Sequence, residues 1–260
     1  YEAEREKNKA VKPEPFVADA PSEIAWTRAL RNDFERRKVL PNDNGEPRVS
    51  LYRPFSKQWL HFSRRLNEMV YKMPALFPTA DHENRAICLS GAGGRAGLSV
   101  LMTDVIPSLH AAAMDGSQCF PLRVYERDEE PNDDGIDDLL SGAEESAEPS
   151  EPSWTVRDGI TDAGLAHIQA AYPGEEISKE DVFYYVYGLL HSPDYAARYA
   201  DNLLKELPRI PRVQGIEAFR AFVDAGRRLG DLHVGYEIVE PYPVTYKQGD
   251  PRTWVVKDPE

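Results

Sequence analysis

The chain has 260 residues, 41% hydrophobic and 29% charged, enough for one large domain or two small ones with a real core. It has no run of about 18 apolar residues, which excludes a membrane-spanning helix, and no secretory signal pattern. The net charge of −13 argues against nucleic-acid binding until it is divided: residues 1–125 are net +3, residues 126–152 net −11 and residues 153–260 net −5. One short segment holds most of the acidity, and a local basic face stays available elsewhere.

Tyr1–Ala20 is charged and punctuated by proline, and reads as an extended lead-in. Both chain ends read as boundaries inside a longer polypeptide. Ser22 is a suitable N-cap for a helix carrying Trp26, Leu30 and Phe34 on one face, and Arg36-Arg37-Lys38 suits that helix's C-terminal dipole. Pro41–Gly45 is a turn. Strand-like runs follow at Val49–Tyr52, Trp59–Phe62, Ala86–Leu89, Ser99–Met102 and Gln118–Tyr125. Helical pieces are expected near Leu66–Lys72 and Pro107–Ala113. Glu126–Ser153 is low in complexity and too polar to offset its ordering entropy, so it reads as a flexible acidic linker or insertion.

The remainder reads as mainly helical. One helix spans Thr161–Tyr172, and Ser178–Asp181 resembles a capping box for the next, Asp181–Leu190. Ser192 with Pro193 restarts a helix whose Tyr195, Tyr199 and Leu203 share a face, and Pro208 and Pro211 close it. Ile216–Leu229 is amphipathic. Strand-like runs at His233–Val239 and Thr253–Val256 end the chain. The predicted fold class is α+β: a strand-rich half (21–125), the acidic segment (126–153) and a mainly helical half (154–260).

Chemistry-bearing motifs are sparse. Ser90–Gly97 contains G-x-G, but lacks the GK[ST] of a phosphate loop and leads into a strand-like run, so it reads as a turn between strands. The histidines have no metal-ligand spacing, and no nucleophile elbow is present. Cys88 and Cys119 read as two reduced, buried thiols, because no CxxC or nearby histidine supports a metal or disulfide role. No catalytic, cofactor or metal site is expected within the chain. Leu51–Phe62 interleaves basic and aromatic residues and is followed by Arg64-Arg65, a pattern suited to a DNA-facing sheet.

Two groups of residues resemble a known family. The first is Arg53-Pro-Phe-Ser-Lys57-Gln-Trp59 with Gln118–Tyr125. The second is Phe183–Tyr195, containing Tyr185, Tyr187, Leu190-His191-Ser192-Pro193 and Tyr195, followed by Leu207-Pro208-Arg209-Ile210-Pro211. Together they look like the C-terminal specificity region of type ISP single-polypeptide restriction–modification enzymes, over roughly residues 45–235. The resemblance implies a DNA target-recognition module in the bacterial cytoplasm, C-terminally truncated here. Its partners would be duplex DNA and the upstream methyltransferase and helicase/nuclease domains. S-adenosylmethionine, ATP and magnesium would serve those domains only. The expected DNA contacts are Arg53, Lys57, Arg64, Arg65, Lys72, Arg85 and Arg95. Two other readings stand beside this one: a protein-docking module, and a nucleotide-binding enzyme using the Gly91–Gly97 loop.

Overall fold

The structure is a computed structural model and describes residues 26–38, 45–64, 66–93, 97–114, 116–128, 153–240 and 242–243. Tyr1–Ala20, Ser22, Pro41–Asn44 and Thr253–Val256 lie outside the described residues, as do Arg65 and Arg95. In chain order the first elements are α1 (Arg28–Glu35), β1 (Glu46–Arg53), β2 (Ser56–Phe62), α2 (Met73–Leu76), β3 (Ala86–Ser90), β4 (Val100–Thr103) and β5 (Ile106–Pro107). Then follow β6 (Ser117–Pro121), β7 (Arg123–Arg127), β8 (Trp154–Asp158), α3 (Asp162–Gln169), α4 (Lys179–Leu190), α5 (Pro193–Arg198), α6 (Ala200–Leu203) and α7 (Ile216–Val234). The strands lead and the helices dominate the end, as the α+β reading expects.

Helix α1 starts at Arg28, where the Thr27 side chain accepts the Leu30 N–H at 3.2 Å. Trp26 therefore lies before the cap rather than on the helix face as expected, and its ring folds onto Phe34 at 5.5 Å. Strands β1 and β2 form a hairpin, Val49 opposite Trp59, and β5 joins β1 in parallel. A second sheet has the order β4-β3-β6. Its centre, β3, is buried at every position because both faces are covered. Ile87, Leu89 and Met102 pack on one face against Phe183, Tyr185, Tyr187, Phe219 and Val223 of α4 and α7. Ala86 and Leu101 belong to smaller clusters on the other side, with Leu76 and Ile106 and with Leu51 respectively.

Four expectations are corrected. Gln118–Tyr125 is two strands, not one. Leu122 donates to Arg85 O at 2.7 Å and accepts from Gly159 N at 2.7 Å, so the chain changes partner there. Strand β7 then pairs with β8, Arg127 opposite Trp154, so residues 129–152 connect the two strands of a hairpin. Leu66–Lys72 and Ser108–Ala113 are turns and bends rather than helices, Pro107 ending β5; the short helix α2 begins only at Met73, with Pro74 in its first turn. His233–Val239 is not a strand, because α7 runs on to Val234 and then turns.

The helical half follows its caps. Thr161 caps α3, Ser178 and Asp181 form a complete capping box on α4, and Ser192 with Pro193 starts α5. Tyr199 interrupts the expected Tyr195–Leu203 helix, so α5 and α6 are separate turns. The tyrosines pin the proline-rich stretch. Tyr195, Tyr185 and Tyr172 donate from their hydroxyls to the carbonyls of Arg209, Pro211 and Val213 at 2.8, 2.6 and 2.7 Å. Alternate carbonyls of an extended segment lie on one side, and here each one on that side meets a tyrosine. Burial pushes the Tyr185 hydroxyl up to about 12, so it remains a donor.

Asn84 ties helix α2 to the starts of β3 and β7. Its amide donates to Leu76 O at 2.8 Å and Arg123 O at 2.7 Å, while its oxygen accepts from the Arg85 and Arg123 N–H groups. It is buried, so every lost bond strands a polar group without water. Asn84→Ala is expected to lower stability by about 2–3 kcal/mol, read as a shift in the urea midpoint. Asn84→Asp keeps the accepting oxygen but sets a carboxylate against two carbonyls, and should be at least as harmful. A stable N84D chain would contradict this account.

Candidate nucleic-acid interface

The β1–β2 hairpin turns through Pro54-Phe55. Phe55 has φ 54°, a left-handed conformation unfavourable for a bulky residue. Its ring packs edge-on against His233 and Tyr236, at 5.3 and 5.4 Å, which holds it there. Lys57 follows the turn. Its ammonium reaches Val234 O at 3.4 Å and Glu237 at 3.3 Å, so it caps the C-terminal end of α7, where a cation suits the dipole. Arg85 is likewise held between elements, by Asp231 at 2.7 Å and the Tyr184 hydroxyl at 2.9 Å. Arg48 is buried and donates to the carbonyls of Phe77, Pro78 and Thr79.

The remaining described candidates lie further outward. Arg53 folds over the Tyr52 ring at 4.2 Å. Arg64 and Lys72 are exposed, on the segment between β2 and α2. Among the described residues neither makes a salt bridge. The structure therefore splits the predicted set: Lys57 and Arg85 brace the hairpin and sheet on the helices, while Arg53, Arg64 and Lys72 keep exposed or half-exposed positions.

Two adjoining clefts share Met69, Met73, Pro107, Ser108 and Leu109 as walls. The larger, about 1160 Å³, is also lined by Tyr71, Lys72, Gln118 and Phe120. The smaller, about 610 Å³, is lined by Arg28, Tyr52, Gln58 and Trp59. Trp59 is 77% exposed, Tyr71 63% and Met69 57%. Met69 and Tyr71 both have positive φ, 63° and 46°. Large side chains in this conformation persist only where the surroundings impose it, and such outliers gather at functional sites. Sequence reading missed this loop, since neither residue carries a turn signal. The face thus combines stacking groups, side-chain amides and a cation. Other cations at its edge are already paired, Lys179 with Asp158 and Asp162, and Arg157 with Glu126.

The Gly91–Gly97 loop connects two antiparallel strands, Leu89 opposite Val100. A phosphate-cradling loop would lead into a helix N-terminus, and this one does not. No group of three potential metal-ligating side chains occurs among the described residues.

The profile of the Type ISP C-terminal specificity domain matches residues 1–260. The chain belongs to this family. No curated protein sequence matched it. Among solved structures the specificity domain is similar to part of a DrdV–DNA complex determined by electron cryomicroscopy, at 36% identity and TM-score 0.66, covering 84% of this chain and 18% of that one. It is also similar to the ATP-dependent Type ISP restriction–modification enzyme LlaBIII bound to DNA, at 30% identity and TM-score 0.63, over 86% of this chain and 13% of that one. A nuclease-deletion mutant of the Type ISP enzyme LlaGI, in complex with a DNA substrate mimic, matches at 28% identity and TM-score 0.63, over 93% and 16%. The specificity domain spans less than a fifth of each of these chains.

A histidine pair lies behind the interface, where the hairpin meets α7. Tyr187 bonds His233 Nδ1 at 2.5 Å, and the His191 and His233 rings meet at 5.5 Å. His191 Nε2 is buried with no hydrogen-bond partner among the described residues. Burial, then the neighbouring His233, lowers the His191 pKa to about 4, and burial lowers that of His233. Both folded values fall below the unfolded one, so between pH 6.5 and about 4 the unfolded chain binds more protons. Stability from keeping these rings neutral is present above pH 6.5 and is lost on acidification. Solvent still reaches part of His191, so the expected loss is on the order of 1 kcal/mol. Unfolding curves at pH 7 and 5 should show it, and His191→Asn should reduce the difference. An unchanged pH slope in H191N would contradict the assignment.

Proposed function

We propose that the chain is the DNA target-recognition module of a Type ISP restriction–modification enzyme, binding duplex DNA and positioning it for methylation and cleavage by upstream domains. The carrying observation is the match of the whole chain to the specificity-domain family, supported by solved relatives of the same fold bound to DNA. The recognition unit on this reading comprises 21–125 and 154–260, with 126–153 inserted. S-adenosylmethionine, ATP and magnesium serve the other domains, and the setting is the bacterial cytoplasm.

The proposed surface is the face formed by the two clefts. Arg53, Arg64 and Lys72 supply phosphate contacts, with Arg65 and Arg95 as further candidates from the sequence. Gln58 and Gln118 have the donor–acceptor pair that reads adenine in the major groove. Lys57 and Arg85 contribute by fixing the hairpin and sheet against the helices. Selection from a random duplex library should enrich one short asymmetric sequence. Binding without enrichment would limit the module to backbone contacts, and no binding would reject the reading.

The exposed apolar groups of the same face, Trp59 above all, favour a second reading in which it docks on another domain of the same polypeptide. Co-elution with a methyltransferase part, combined with no binding to DNA, would select that reading.

A further inference from the structure

The two cysteines are directly opposed on neighbouring strands. Cys88 of β3 pairs with Cys119 of β6 in antiparallel register. Hydrogen bonds at the ends of the ladder fix its phase. Leu122 N donates to Arg85 O, and Gly91 N donates to Gly116 O, which makes 85/122 and 91/116 hydrogen-bonded pairs. Alternation then assigns 87/120 and 89/118 to the same class and leaves 88/119 a non-hydrogen-bonded pair. That class brings Cα atoms to about 4.5 Å and the side chains closest together, inside the window of about 4.4–6.8 Å that a disulfide spans. The sulfur atoms lie 3.3 Å apart, and both thiols are free.

The two sites differ in access. Cys88 is fully buried, whereas Cys119 is partly exposed and lines the larger cleft. Cys119 accepts the Cys88 thiol hydrogen bond, which holds its pKa down; the same bond together with burial pushes Cys88 up. The outer sulfur is therefore the one an oxidant meets, and the inner one is protected until its partner has reacted.

We propose that Cys119 and Cys88 form a reactive dithiol that a peroxide converts to a cross-strand disulfide. The Cys119 thiolate attacks one peroxide oxygen, the O–O bond breaks, and the departing hydroxide takes a proton to become water. Cys119 is then a sulfenic acid. The Cys88 sulfur attacks the Cys119 sulfur, the S–O bond breaks and the S–S bond forms. The Cys88 proton leaves with the hydroxide as a second water. Two thiols lose two electrons, and one peroxide becomes two waters. A thiophilic metal fits less well, because sulfur atoms at 3.3 Å are too close to hold an ion between Zn–S bonds of about 2.3 Å in tetrahedral geometry.

The test treats the full chain with hydrogen peroxide, then unfolds it and titrates thiols. Both thiols should vanish, the mass should fall by two hydrogens, and a non-reduced digest should contain one linked peptide carrying residues 88 and 119. Dithiothreitol should restore both. In Cys88→Ser the reaction should stop at a sulfenic acid on Cys119, trapped by dimedone. In Cys119→Ser, Cys88 should remain a free thiol. Two titratable thiols after treatment, sulfinic acid on Cys119 beside a free Cys88, or a Cys119–Cys119 link between chains would each overturn the proposal.

Discussion

Gly226→Ala is expected to destabilise the chain by about 2–3 kcal/mol in urea unfolding. Helices α4 and α7 touch through glycine. A Cβ on Gly226 would lie 2.0 Å from Tyr184 O, and one on Gly188 would lie 2.3 Å from Phe222 O. These obstacles are backbone carbonyls, which cannot rotate away as a side-chain tip can. The helices must separate, and the contacts of Phe183 and Tyr185 with Phe219 and Val223 loosen with them. Overpacking of a close-fitted core costs about 1–3 kcal/mol, and backbone-on-backbone contact belongs at the upper end. Alanine's helix propensity returns at most about 1 kcal/mol. Gly164→Ala, in the exposed helix α3, provides the contrast. Its Cβ meets only Thr161 Oγ1 at 3.3 Å and Ile160 at 3.7 Å, so that change should stay within about 0.5 kcal/mol of neutral. Equal effects at the two glycines would remove the close-approach argument.

The helical half was legible because its signals are local. Ser178 and Asp181 sit within four residues of each other, and Ser192-Pro193 needs no distant partner. The tyrosine–proline elements that carried the family resemblance also have a local logic, with hydroxyls meeting alternate carbonyls. Strand β8 was missed because its partner β7 lies across residues 129–152, and four of its five residues are exposed, so no inward alternation marks it. The end of α7 was misread because His233, Val234 and Tyr236 carry strand propensity, while the bonds that keep the helix going come from the turn before. The candidate site was legible as chemistry more than as geometry. Basic residues between β1 and β3 were identified, but nothing in their spacing tells that Lys57 faces a helix end or that Arg85 faces Asp231. Met69 and Tyr71 stand out through backbone angles and exposure that nothing in the sequence marks.

This division decides which substitutions report on DNA. Removing Lys57 or Arg85 would loosen the brace between the sheets and α7, and weaker binding would then be ambiguous. Arg64 and Lys72 are exposed and make no salt bridge among the described residues, so replacing both with glutamine should leave the unfolding midpoint unchanged. If each neutralises one phosphate, the slope of log affinity against log salt should become shallower by about 2. The affinity loss then depends on salt: roughly 200-fold near 0.05 M and about 3-fold near 0.5 M. That convergence at high salt separates lost counterion release from lost base reading, which would weaken binding by a similar factor at every salt concentration. The measurement is fluorescence anisotropy of a labelled duplex across that range, on the parent chain and the R64Q/K72Q variant. Parallel salt lines would remove Arg64 and Lys72 from the interface, and would move the search to the Gln58, Trp59 and Tyr71 side of the same clefts.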